Sequence, residues 1–79
     1  MRRLPPLNAL PAFEATARLA SASKAAQELG RTHGAISKQL KVLAGALGYN
    51  LFQNEGNKLV LTPQGEAFLA SVGPALDQL

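Results

Sequence analysis

The stretch "RTHGAISKQLKVL", Arg31–Leu43, has an apolar side and a basic, polar side. Apolar residues spaced three or four apart, at about 100° per residue, fall in one stripe about 60° wide on a helix. The stripe consists of Ile36, Leu40, Leu43 and Leu47. Thr32 is a suitable N-cap residue in front of the pattern, and Gly48 is a suitable stop behind it. The sequence therefore predicts an amphipathic helix from His33 to Leu47.

The polar side of this helix carries only cationic or neutral groups. Its members are His33, Gly34, Ser37, Lys38 and Lys41. No acidic residue occurs between Glu28 and Glu55, and the whole chain has a formal net charge of +3. Such a face favours a polyanionic partner. The alternative is a cationic helix face that is merely solvated.

Length and composition exclude several classes of protein. A chain of 79 residues forms one small folding unit, and the absence of cysteine excludes disulfides and thiolate metal sites. One histidine and five acidic residues give no nucleophile–base pair and no ligand cluster. We therefore expect no enzyme activity, no catalytic residue, no metal site and no cofactor. No apolar run has membrane-spanning length and no signal peptide follows Arg2-Arg3, so the expected compartment is the cytoplasm.

Two shorter helices are predicted before the amphipathic helix. Asn8 is the expected cap of a first helix from Ala9 to Ala20, with an apolar stripe of Leu10, Phe13, Ala17 and Ala20. Ser23 is the expected cap of a second helix from Lys24 to Leu29, which Gly30 ends. A candidate helix-turn-helix is formed by the second helix, the turn "GRT" and the amphipathic helix. The amphipathic helix would enter a DNA major groove.

The remainder of the chain predicts a hairpin and a last helix. The strand candidates are Leu51–Gln53 and Leu59–Leu61, joined by turn residues 54–57. Thr62 is the expected cap of a helix that begins at Pro63, and Gly73-Pro74 is expected to kink or interrupt it. Its apolar stripe is Leu69, Val72, Leu76 and Leu79. This stripe has the spacing of a helix–helix seam, with packing against the chain's own core as the alternative.

The motifs together resemble the N-terminal DNA-binding domain of LysR-type transcriptional regulators. The residues that carry the resemblance are the Ala25-Ala26…Leu29 helix, "AISKQLKVL", "LGYNLF" and "LVLTPQG", in that order. The likeness extends from about Leu7 to Leu79, and the opening "LPPLNALPAFEATAR" is similar to the glycine-cleavage-activator and β-lactamase-regulator branch. The resemblance implies a mainly all-α winged helix-turn-helix: a three-helix core, a two-stranded wing and a C-terminal linker helix.

The resemblance also implies a function and a division of the chain. Residues 1–62 would bind double-stranded DNA sequence-specifically, with helix 33–47 in the major groove and wing 53–58 on the backbone or minor groove. Residues 63–79 would be the linker helix of a homodimer that regulates transcription. A small-molecule effector would act only through a C-terminal domain that these 79 residues do not include. The alternative function is a protein-interaction module that uses the leucine stripe at 69–79 without binding DNA.

The residues expected to carry these functions can be named by position. The expected DNA contacts are Ser23, Thr32, His33, Gly34, Ser37, Lys38, Lys41, Asn54, Asn57 and Lys58. The expected dimer contacts are Leu69, Val72, Leu76 and Leu79. The sequence departs from the family pattern in three ways: Asn54 replaces an arginine of the wing, Ala44-Gly45-Ala46 replaces an acidic run, and Ala22 replaces a larger apolar residue.

Overall fold

A computed structural model describes the backbone of residues 9–77 and the side chains of residues 9–74. The described chain has four helices and a two-stranded antiparallel sheet. In chain order these are α1 Leu10–Leu19, α2 Ala22–Leu29, α3 His33–Leu47, β1 Phe52–Glu55, β2 Lys58–Leu61 and α4 Pro63–Asp77. The predicted fold class, a mainly helical winged helix-turn-helix, is confirmed.

The helix-turn-helix consists of α2, the turn at residues 30–32, and α3. Gly30 ends α2 in the left-handed region at φ +67°, and the Arg31 amide donates to the Ala26 carbonyl at 2.9 Å. The Thr32 side chain caps α3 by accepting from the Ala35 amide at 3.1 Å. Both ends of α3 agree with the prediction, and Gly48 ends it at φ +85°.

The predicted cap of α2 was wrong by two residues. Ser21, not Ser23, is the N-cap, and its hydroxyl oxygen accepts from the Lys24 amide at 3.1 Å. The helix therefore starts at Ala22, which is buried in the core. Ser23 lies in the first turn of α2 and is exposed. Burial of Ala22 explains why the earlier serine is used, because starting the helix there turns this methyl group inward.

Helix α1 also differs from its predicted pattern. Its N-cap residue is Ala9, which makes no side-chain cap, and the predicted cap Asn8 lies outside the described residues. The buried face is Ala12, Phe13, Ala15 and Thr16. Of the predicted stripe only Phe13 is fully buried, because α2 and α3 cover α1 from a second side and draw a wider arc into the core.

The wing is a hairpin with a two-residue turn. Its register pairs Phe52 with Leu61 and Glu55 with Lys58, so the turn is Gly56-Asn57, with Gly56 at φ +63°. Both strands reach closer to the turn than predicted, because Asn54, Glu55 and Lys58 belong to the ladder. The Leu59 amide donates to the Ala20 carbonyl at 3.2 Å, which ties the wing to the α1–α2 connection.

The core has two neighbouring clusters that share Leu40. The alanine cluster consists of Ala12, Ala15, Ala22, Ala25, Ala26 and Ile36. The phenylalanine cluster consists of Ala9, Phe13, Leu43 and Leu51. Phe13 lies between two other rings, with centroid separations of 5.5 Å to Phe52 and 5.2 Å to Phe68. The small side chains let α1, α2 and α3 approach closely, while the rings hold the wing and α4 against α1.

Helix α4 packs its first half on this core. Phe68, Leu69 and Val72 are partly buried against the phenylalanine cluster. Two predicted seam residues therefore contact the chain's own core. Helix α4 is continuous through Pro74 to Asp77, so of the predicted kink or interruption at Gly73-Pro74 the interruption does not occur.

A buried threonine joins the wing to α4. The Thr62 hydroxyl donates to the Asn50 carbonyl at 2.7 Å and accepts from the Gly65 amide at 3.0 Å. The Thr62 amide donates to the Leu51 carbonyl at 3.0 Å. Gly65 packs so closely that an added Cβ would lie 2.2 Å from the Leu51 carbonyl oxygen. The predicted cap at Thr62 is confirmed, and it also fixes the segment in front of β1.

Two threonines should respond oppositely to the same substitution. Thr16 is fully buried and its hydroxyl has no hydrogen-bond partner among the described residues. Thr16→Val should raise the free energy of unfolding by up to about 1 kcal/mol, because it removes an unsatisfied polar group at equal shape. Thr62→Val should lower it by about 1–3 kcal/mol, because two backbone groups lose their partner. Urea unfolding at one fixed protein concentration measures both, and changes of the same sign would contradict this account.

Two glycines provide a second opposed pair. Gly65→Ala should destabilise the fold by about 1–3 kcal/mol, because the new methyl group collides with the Leu51 carbonyl. Gly45→Ala should stabilise it by about 1 kcal/mol, because Gly45 is inside α3 and a Cβ there meets nothing within 4 Å. Thermal unfolding followed by circular dichroism measures both. A stabilised Gly65→Ala variant would show that the α4–Leu51 contact is looser than described.

Candidate nucleic-acid interface

An open cleft of about 610 Å³ lies between the helix-turn-helix and the wing. It brings together six of the ten predicted DNA contacts, from three separate elements. These are Ser23 of α2; His33, Ser37 and Lys41 of α3; and Asn54 and Asn57 of the wing. Sequence periodicity predicts the three α3 residues as one face, but only the fold places the α2 serine and the wing asparagines beside them.

Each helix presents its polar residues at the cleft because its apolar residues are held elsewhere. Ile36 and Leu43 are fully buried, which turns the opposite arc of α3 outward. His33 starts α3, and Ser37 and Lys41 follow one and two turns later along the cleft. The Ser21 cap sets the start of α2, so Ser23 lies in its first turn at the rim.

The wing presents one of its two faces to the cleft. Residues that alternate along a strand point to opposite faces, so Phe52 and Asn54 share one face and Glu55 lies on the other. In the antiparallel register Leu59 is opposite Asn54, and Lys58 is opposite Glu55. Asn54 therefore faces the cleft with Leu59, while Lys58 shares the outer face with a carboxylate.

Four predicted contacts do not line the cleft. Thr32 is committed to capping α3 through its hydroxyl oxygen, although it remains exposed. Gly34 and Lys38 are exposed on α3 just beyond the cleft wall. Lys58 is exposed on the wing next to the turn. Gly34 and Lys38 remain on the outward ridge of α3, whereas Lys58 is the predicted contact that the fold supports least.

The charges leave the cleft positive. None of the described residues that line it is acidic, and Lys41 is among them. Within the described side chains, the salt bridges join Arg18 to Glu14 at 3.0 Å and to Glu28, away from this surface. Hydrogen bonding by the Arg18 guanidinium lowers the pKa of Glu28, and the two carboxylates raise the pKa of Arg18. Two acidic residues thus share one arginine away from the cleft, while Lys38 and Lys41 are in neither of these salt bridges.

Sequence reasoning missed three residues of the cleft. Ser21, Ala44 and Asn50 line it beside the predicted contacts. Ser21 was overlooked because Ser23 was given its capping role. Ala44 follows Lys41 at helical spacing on the same side of α3 but is apolar. Asn50 lies in the segment before β1, where no periodic pattern indicates a face. The turn composition around Tyr49-Asn50 was the one available signal for an exposed polar residue there.

The predicted dimer residues have different positions relative to the described chain. Leu69 and Val72 are half-buried against the phenylalanine cluster. The side chain of Leu76 and all of Leu79 lie outside the described residues, as does the basic arm with Arg2 and Arg3. Ala67, Ala70, Ser71 and Pro74 are exposed on the other side of α4.

Two other kinds of site are absent from the described residues. No helix among them combines the length and hydropathy of a membrane span. No group of three or more histidine, cysteine, aspartate or glutamate residues among them is placed to hold a metal ion.

Helix α3 at an acid-free cleft and the adjoining hairpin define a winged helix-turn-helix domain. The family model described as "Bacterial regulatory helix-turn-helix protein, lysR family" matches residues 7–66. The chain therefore belongs to the LysR family of bacterial regulators.

Individual relatives agree with this assignment. The chain is 49% identical over 78 residues to the HTH-type transcriptional regulator TrpI of Pseudomonas aeruginosa. It is 42% identical over 78 residues to the glycine cleavage system transcriptional activator of Escherichia coli K12, which confirms the expected likeness to that branch. Each alignment covers 99% of this chain and 26% of the relative. The chain thus spans about a quarter of the length of these relatives, which are named as transcriptional regulators and not as enzymes.

A solved structure shows the same fold on DNA. The DNA-binding domain of BenM, in its complex with benA site 1 DNA, matches with a TM-score of 0.86 and 27% identity. The match covers 92% of this chain and 82% of that domain.

Proposed function

We propose that this chain binds double-stranded DNA sequence-specifically, as a homodimer, to regulate transcription. The observation that carries the proposal is the acid-free cleft, in which α3 and the wing present polar and cationic side chains together. A polyanion with a groove fits this arrangement, because α3 can enter a major groove while the wing contacts the flanking strand. The BenM complex with DNA and the regulators TrpI and glycine cleavage activator support the same function. Binding to chromosomal DNA would be in the bacterial cytoplasm.

The residues would divide into base-reading and positioning groups. His33 and Ser37 line the cleft from the leading half of α3 and can hydrogen-bond to base edges. Lys38 and Lys41 can reach guanine edges or phosphates, and Ser23 and Thr32 lie at helix starts that suit phosphates. Gly34 leaves room for close approach of the DNA. Asn54 and Asn57 would contact the backbone or minor groove, with Lys58 as an outer backbone contact.

The protein-interaction alternative gives no reason for an acid-free cleft. The packing of Leu69 and Val72 on the core limits the free part of the leucine stripe for this alternative and for the proposed dimer seam alike. We propose residues 1–62 as the DNA-binding unit and residues 63–79 as the linker helix, whose first half also completes the core.

A salt series on duplex DNA tests the DNA-binding proposal. Fluorescence anisotropy should give an affinity that falls steeply with salt, because cations that contact phosphates release counterions. Lys41→Ala should weaken binding to all duplexes about equally and lower the slope of log affinity against log salt by about one for each bound protomer. His33→Ala should cost about 1–3 kcal/mol on a selected duplex and less on a mixed-sequence duplex.

Lys24→Ala is the control, because Lys24 is exposed on α2 and does not line the cleft. Equal slopes for Lys41→Ala and the unmodified chain would remove Lys41 from the interface. Absence of binding at low salt would contradict the DNA-binding proposal itself.

Two substitutions on α4 test the dimer proposal. Leu76→Asp should shift the chain towards monomer in analytical ultracentrifugation, because it places a charge in an apolar seam. Ala70→Asp changes an exposed residue on the other side of α4 and should leave the association constant unchanged. A loss of dimer with Ala70→Asp alone would instead assign the seam to the face that carries Ala67, Ala70 and Ser71.

A further inference from the structure

A second cleft of about 440 Å³ continues the first one past the end of α3. It is lined by Lys41, Ala44, Gly45, Gly48, Tyr49 and Asn50. Lys41, Ala44 and Asn50 line both clefts. The two clefts therefore form one continuous concave surface that extends beyond the proposed base-reading part of α3. Lys41, Ala44 and Asn50 form the border between the two clefts.

This border is open and free of negative charge. None of the described residues that line either cleft is acidic. A Cβ added at Gly45 or Gly48 would meet nothing within 4 Å among the described atoms, so no side chain fills the space in front of them. A bulky group could approach the end of α3 closely here. An anionic group would also meet the negative end of the helix dipole, which Lys41 in the same lining would have to offset.

Asn50 is held at this border by its backbone. Its carbonyl accepts the 2.7 Å hydrogen bond from the buried Thr62 hydroxyl, and the next residue, Leu51, is buried in the core. The Asn50 residue itself is exposed, and its amide offers two N–H donors. A donor on a fixed backbone loses little conformational freedom when it binds, which favours a contact that sets the position of a partner.

We infer that Asn50 and Lys41 together hold one phosphate of the DNA backbone at the C-terminal end of α3. The inference rests on the proposed DNA binding and adds Asn50, which sequence reasoning missed, as a positioning contact. Contacts to phosphate fix the register of a protein on the duplex and carry no base information. The contribution of Asn50 should therefore be the same on every sequence.

The test is anisotropy with two fluorescent probes, a mixed-sequence duplex and a duplex selected by the chain from a random pool. Asn50→Ala should weaken binding to both about three- to tenfold, the range for loss of one hydrogen bond, with an unchanged salt slope. Asn50→Asp should weaken it further by adding a negative charge. Asn50→Lys should tighten binding and raise the salt slope by about one for each bound protomer. Gln27→Ala is the matched control, since Gln27 is an exposed amide that lines neither cleft.

A double variant tests whether the two side chains share one phosphate. Lys41→Ala with Asn50→Ala should lose less affinity than the product of the two single losses, because the second substitution removes a contact that the first has already weakened. Methylphosphonates can replace the phosphates of the duplex one at a time. At one position the replacement should weaken binding of the unmodified chain, but it should weaken binding of Lys41→Ala and of Asn50→Ala little further.

The outcomes separate this inference from the proposed function. If the unmodified chain binds with a steep salt dependence but Asn50→Ala and Asn50→Lys both bind like it, the inference is wrong and the proposed function stands. Multiplicative losses in the double variant would also overturn the shared phosphate. If the unmodified chain does not bind either duplex at low salt, the proposed function fails and the inference with it. Equal unfolding curves for the Asn50 variants and the unmodified chain establish that the losses come from the interface.

Discussion

The arrangement of the wing, α3 and α4 depends on the buried hydroxyl of Thr62. By donating to the Asn50 carbonyl and accepting from the Gly65 amide, it joins the segment after α3 to the first turn of α4. The Thr62 amide bonds to the Leu51 carbonyl, and Gly65 lies against that same carbonyl oxygen. One side chain thereby satisfies groups of two separate segments, and the close approach permits only a glycine at position 65. The base of the hairpin is fixed there, which sets where Asn54 and Asn57 lie relative to α3.

The distribution of charge follows from this framework. Arg18 draws Glu14 and Glu28 into one exposed cluster on α1 and α2, so two of the acidic residues lie away from the cleft and share one guanidinium. The cleft side keeps Lys41 without an acidic lining residue. A modest net charge of +3 can therefore produce a distinctly positive surface. Placement of the acidic residues matters more for binding a polyanion than the total charge, because a Debye length near 10 Å screens distant charges.

Much of the fold could be predicted from the sequence, and the errors have physical causes. Helix α3 was predicted to the residue because cap, stripe and stop all agree there. The cap of α2 was misplaced because Ser21 and Ser23 are equally good caps locally, and only the burial of Ala22 decides between them. The sequence shows the apolar stripe of α4. Periodicity shows that a helix has an apolar face, but it does not show whether that face packs on the chain's own core or on a second chain. The first two members of the stripe pack against the phenylalanine cluster, which only the tertiary structure could show.

The candidate site was predictable where it lies on one helix and unpredictable where it joins segments. Asn50 has no periodic signal, since it lies in an irregular connection and owes its position to a threonine 12 residues later. The glycines of α3 show the same limit. Gly45 costs about 1 kcal/mol relative to alanine inside a helix, and nothing among the described atoms occupies the space that its side chain would fill. Gly65, by contrast, is required by a backbone contact within the chain. Gly45 has no such internal contact, and the open space in front of it is part of the cleft at the end of α3 where the DNA backbone is proposed to lie.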